Sequence, residues 1–131
     1  MKIYHGHRDD SGTLVTVHDD GERDYVLPVR LDLYNHSPDG FEWGYQGSGP
    51  AQLALAILAD ALKAPSGKRP PSIFDYDTEE QERKDPRMLA VRLHQQFKRR
   101  FIAGLDHDGP WTIVEQAVLD FVRGELASDG R

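Results

Sequence analysis

The sequence predicts an α+β fold: a small antiparallel sheet of about three N-terminal strands, packed with three helices in a single domain. Three observations carry this. The first third holds β-branched runs broken by turn residues. Residues 51–59 contain no charge at all, in a chain where 29% of residues are charged. Two later segments repeat apolar residues at helical spacing.

Taken in order, Lys2 to Tyr4 reads as a first strand, and Thr13 to His18 as a second, rich in β-branched residues. Asp20-Gly21 between them and the next run is the strongest hairpin signal in the chain. Tyr25 to Leu33 follows, with Val29, Leu31 and Leu33 alternating as in a half-buried strand. Pro28 cannot donate to a ladder and so implies an edge, a bulge or a split into two short strands. Residues 35–40 are a loop by composition. Helix one is expected to begin at Pro50, with Ser48 or Gly49 at the cap. Leu53, Ile57 and Ala61 form one stripe and Ala54, Leu58 and Leu62 another, which predicts a central, buried helix.

Residues 63–86 read as a mobile insertion or long loop, proline-rich and then acidic, in which Ile73, Phe74 and Tyr76 are the side chains able to dock. Asp85-Pro86 is a good cap and first-position pair for helix two, whose buried face is Leu89, Leu93, Phe97 and Phe101. Residues 105–110 break the chain. Thr112 to Glu115 has the form of a capping box opening helix three, with Val114, Ala117, Val118, Phe121 and Val122 on its apolar face and fraying expected over Ser128–Arg131. Leu53, Ile57, Leu93, Phe97 and Phe121 are expected to share one core.

Composition narrows the function classes. The chain has 131 residues and no cysteine, which removes disulfides, thiol catalysis and cysteine-held metals. The longest apolar run, Leu53 to Leu58, is far shorter than the roughly 20 residues of a membrane span, so a cytoplasmic protein without a membrane partner is expected. Net charge is −6, yet residues 83–100 carry seven Lys/Arg against one Asp. The acidic whole disfavours nucleic acid as partner.

Phe41 to Asp60 (FEWGYQGSGPAQLALAILAD) is the most tightly specified stretch. Trp43, Gly44, Tyr45, Gly47, Ser48 and Gly49 are the ligand-binding candidates. A glycine loop entering a helix N-terminus could cradle a phosphate or carboxylate, or could serve only to turn the chain, with positive φ at Gly47 or Gly49. No Gly-Lys-Ser/Thr follows. Phe41, Trp43 and Tyr45 alternate onto one face, to close the core or to stack on a ligand. Arg87, Arg92, Lys98 and Arg99 on helix two, and Asp19 and Asp20 at the hairpin, are partner-binding candidates; the basic residues could equally pair with the acids of 75–82. His5, His7, His18, His36 and His107 lack metal-site spacing. No metal, cofactor or catalytic residue is expected.

The stretch Phe41–Asp60, with Ile3 to Gly6, His94 to Lys98 and the Trp111 segment, resembles the signature of an uncharacterised family of small domains of bacteria, phages and plasmids. Residues 65–84 look like an insertion relative to its shorter members. The resemblance implies no activity. It implies a context: an accessory protein of mobile elements. The expectation is thus a non-enzymatic binding protein that docks on a host or phage protein, such as a CRISPR effector of bacterial immunity. The alternative is a small-ligand or nucleotide-binding protein, with enzyme activity open, built on the loop 44–49.

Overall fold

The N-terminal hairpin is longer than its sequence pattern suggests. In the computed structural model, which describes residues 1–129, strands β1 (Lys2–Asp9) and β2 (Gly12–Asp19) pair antiparallel in unbroken register from Lys2 opposite Asp19 to Asp9 opposite Gly12. The connection is a tight turn at Asp10-Ser11. The Asp9 carboxylate accepts from the Ser11 amide at 2.8 Å and its hydroxyl at 2.6 Å, and Gly12 takes φ +123°. The expected turn at Asp20-Gly21 also forms, with Gly21 at φ +79°, and leads into β3 (Tyr25–Val26).

The expected strand over Tyr25–Leu33 is thereby cut to two paired residues. Leu27 donates one more bond to the Val15 carbonyl at 3.0 Å, and Pro28 then has no N–H to continue the ladder.

The second correction is a fourth strand. The helix expected to open with a capping box at Thr112–Glu115 starts only at Glu115; Trp111–Val114 is β4, pairing antiparallel with β1 from Gly6 opposite Trp111 to Ile3 opposite Val114. Trp111 and Ile113 face the core while Thr112 and Val114 face out, an alternation that suits a strand. Pairing along the free edge of β1 outweighs the local cap. The sheet order is β3-β2-β1-β4.

Helices cover the inner face, formed by Tyr4, Val15, Val17, Trp111 and Ile113. The other face carries His5, His7, Leu14, Thr16, Thr112 and Val114, all partly or fully exposed. Helix α1 (Ser48–Ala61) is buried on nearly every side. It starts two residues before Pro50, with Gly47 as its cap. Proline is tolerated there because the first-turn N–H groups lack intrahelical partners. A short α2 (Glu79–Lys84) lies inside the excursion, where a loop was expected, so the described residues form four α-helices and not three. It has a Thr78 cap but no buried residue.

Helix α3 (Pro86–Phe97) begins as expected at the Asp85 cap and runs on as a π-helical turn over Lys98–Ile102. Helix α4 spans Glu115–Asp129, so Ser128 and Asp129, where fraying was expected, are helical; Gly130 and Arg131 lie outside the described residues. Leu53, Ile57, Leu93, Phe97 and Phe121 are all buried in one core cluster, as expected. The Phe97, Phe101 and Phe121 rings pack together, with centroids 4.7–5.8 Å apart.

Candidate functional site

The glycine loop is filled by the protein's own atoms. Only Gly44 takes a positive φ, +86°, and its amide donates to the Ile102 carbonyl at 3.1 Å. A Cβ there would lie 2.6 Å from the His107 Cα. The expected positive φ at Gly47 or Gly49 is corrected. Gly47 is extended at φ −176°, and Gly49 is a helical residue without positive φ. What those positions require is the missing side chain. A Cβ on Gly47 would meet the Tyr45 ring at 2.5 Å, and one on Gly49 would meet the Glu42 Cβ at 2.6 Å. Ser48, the first residue of α1, is exposed, and no side chain caps that helix end.

The aromatic trio divides. Phe41 and Trp43 are buried, whereas Tyr45 is 43% exposed and leans toward the His107 ring. Trp43 meets Trp111 edge to face at 5.5 Å, and neither indole N–H has a hydrogen-bond partner among the described residues. Above Trp43, at 5.0 Å from its ring, lies the Arg8 guanidinium, which grips both Glu42 oxygens at 3.0 and 2.6 Å and the His107 carbonyl at 3.0 Å. That fork holds the Glu42 carboxyl below the usual carboxylate range.

Beside this loop lies a hub that sequence reasoning missed. Gln52 is fully buried on α1. Its carbonyl accepts from the amides of His36 (2.8 Å) and Ser37 (3.2 Å), and its amide donates to the carbonyls of Val29 (2.8 Å) and Tyr34 (3.1 Å). All four hydrogen-bonding positions of the side chain are used. The segment so held points the His36 ring at His94 of α3, with the Tyr34 ring stacked behind at 4.4 Å. A lone glutamine in the charge-free run 51–59 was the available signal.

Residues 4–69 match the model of the family of unknown function DUF6166. The chain belongs to that family. No curated protein and no solved structure matches it significantly. The DUF6166 match takes in Arg8, Glu42, the glycine loop and Gln52, but ends before His94 and the acidic half of the excursion.

A third cluster ties the sheet to the end of α1. The Asp60 carboxylate accepts from Lys2 Nζ (3.0 Å), the Tyr4 hydroxyl (2.7 Å) and the Tyr25 hydroxyl (2.5 Å). Burial, then the bond to Asp60, pushes the Tyr25 hydroxyl up to about 12 and Tyr4 higher still. Such phenols stay protonated and act as donors that join elements.

The partner-binding candidates are dispersed. Arg87 is half-buried, donating to the carbonyls of Asp32 and Arg69 and lying 3.7 Å from the Asp32 carboxylate. Arg92 reaches Glu82 only at 4.0 Å. Lys98 is half-buried and Arg99 exposed, and neither makes an ion pair among the described residues. Asp19 and Asp20 lie 3.4 and 3.6 Å from the N-terminal amine. Arg83 and Lys84 pair with Glu79 and Glu80 one turn before them, as the charge pattern allowed. No group of three or more His, Asp or Glu among the described residues could hold a metal ion, and none of their helices is long and apolar enough to cross a membrane.

Proposed function

We propose that this DUF6166 chain is a non-enzymatic binding protein of a phage or other mobile element. It docks on a host protein of bacterial immunity, such as a CRISPR effector, and offers carboxylates to a basic surface that otherwise holds nucleic acid. The observation that carries the reading is the display of acidic side chains: those of Asp20, Glu79, Glu80 and Asp108 are 78%, 88%, 75% and 90% exposed. Complementary potential of this kind steers association and selects partners. The packing of Tyr45, Glu42 and His107 against the three glycines also supports it, because the loop then has a structural use that needs no ligand.

The test is DNA cleavage by purified CRISPR effectors with the protein added at stoichiometric amounts. Inhibition is expected for a cognate effector. It should weaken when Asp19 and Asp20 become lysine, with melting temperature retained. The uncapped start of α1 favours a second reading, an anion site at 44–49. Nucleotide or phosphate would then raise the melting temperature saturably. That result, with no effector bound or inhibited, would replace the docking reading.

A further inference from the structure

Two large apolar side chains stand away from the body of the protein. Ile73 is 63% exposed and Phe74 90%, on a single 3₁₀ turn (Ile73–Asp75) with no buried residue. The turn is nevertheless firmly braced. The Ser72 hydroxyl accepts from the Phe74 amide at 3.3 Å, and the Asp75 carboxylate accepts from the Ser72 amide at 2.9 Å. Arg69 forks onto Asp75 at 2.5 and 3.1 Å, and its own carbonyl is held by Arg87. One residue on, the Tyr76 hydroxyl donates at 2.6 Å to Asp85, the cap of α3. Sequence reasoning offered Ile73, Phe74 and Tyr76 as residues that dock on the fold; only Tyr76 makes such an attachment. The backbone at Ile73 and Phe74 is braced, and both side chains are turned outward.

We infer that Ile73 and Phe74 form an anchor that inserts into an apolar pocket of a partner protein whose rim is lined with lysine or arginine. The inference rests on the docking reading above and names the partner chemistry of that contact. An aromatic side chain entering a pocket is a common hot spot, and an anchor on an already braced backbone turn has less chain freedom to lose on association. The rim charge follows from what surrounds the anchor. Lys68 and Arg69 precede it, but Arg69 is paired with Asp75; Asp77, Glu79, Glu80 and Glu82 then follow with no basic residue before Arg83. The pairs Glu79–Arg83 (3.7 Å) and Glu80–Lys84 (3.0 Å) are exposed and weak, so these carboxylates stay open to a second cation. The anchor lies outside residues 4–69, the part matched to the family.

The test places p-benzoylphenylalanine at position 74 of the full chain, cross-links it in bacterial cells, and identifies the adduct by mass. The adduct partner is then purified and its affinity measured for the wild-type chain, Phe74→Ala, Ile73→Ala and, as an exposed apolar control, Leu126→Ala. Phe74→Ala should weaken binding by about 30-fold or more, as a hot-spot residue does, while Leu126→Ala changes it by less than about threefold. Binding should also weaken as salt rises. Phe74→Ala should leave the melting temperature unchanged, since that residue is 90% exposed. A partner bound equally well by Phe74→Ala overturns the anchor and leaves docking standing. An adduct only with a second copy of this chain overturns the stated partner. No bound partner at all, by cross-link or by the unmodified chain, overturns both.

Discussion

His36 and His94 meet Nε2 to Nε2 at 2.8 Å, and the contact has room for one proton. His94 Nδ1 lies 2.5 Å from the Val91 carbonyl, so that nitrogen carries the hydrogen and Nε2 is left as an acceptor. His36 must then donate through its own Nε2. Charging His94 would set two N–H groups against each other unless His36 moved its proton to Nδ1, and would add a second positive charge beside the Lys98 ammonium.

The pair should therefore link stability to pH. Burial first, then the charges of His36 and Lys98, brings His94 down to about 4, against the bond to Val91; burial and Lys98 also lower His36. Both folded values lie below the unfolded one of about 6.5. The stabilisation is thus complete above about pH 6.5 and is lost as pH falls toward 4, by up to roughly 3 kcal/mol for His94. Urea midpoints measured between pH 7 and 4 should show this slope. His94→Gln should flatten it, whatever its effect at pH 7; an unchanged slope would refute the coupling.

Gly44 and Gly47 should respond differently to alanine. At Gly44 the new Cβ meets the His107 backbone at a positive φ, so a loss of about 2 kcal/mol or more is expected. At Gly47 the obstacle is the half-exposed Tyr45 ring, which can swing away, and the loss should be clearly smaller. Equal melting temperatures for the two variants would contradict this account.

Gln52→Leu should destabilise the protein although it makes α1 more apolar. It leaves the amides of His36 and Ser37 and the carbonyls of Val29 and Tyr34 without their buried partner, at about 2–4 kcal/mol in all. Faster hydrogen exchange at residues 36 and 37 would mark the cause. A stabilised variant would show that water replaces the glutamine freely.

Limited proteolysis should enter the chain first within 77–84. Helix α2 buries no residue, and such elements open at little free-energy cost. Arg69→Ala should extend cleavage back into 69–76 by removing the brace on Asp75. Protection of 77–84 equal to that of α3 would argue against the mobile excursion expected from composition.

Much of the fold was legible because it depends on local pattern. The charge-free run marked α1 as central, Asp85-Pro86 marked the start of α3, and the four-residue spacing from Leu89 to Phe101 marked its buried face. Strand β4 was not legible. Whether Trp111–Val114 becomes strand or helix is decided by the free edge of β1, more than 100 residues earlier. The glycine loop was found but explained differently. Its need for small residues comes from Tyr45, Glu42 and His107 in three dimensions, and only Gly44 has a backbone that calls for glycine. The Gln52 and His36–His94 contacts join segments 15 to 58 residues apart, which no local motif reveals.

The position of β1 between β2 and β4 sets the order in which the sheet can be completed during synthesis. The β1–β2 hairpin needs nothing beyond Asp19 and can close early. The opposite edge of β1 must wait for Trp111–Val114, on the order of ten seconds later at ordinary translation speed. Through that interval the nascent chain presents Ile3 to Gly6 as an unpaired strand edge, the kind of surface on which chains on neighbouring ribosomes join or chaperones bind.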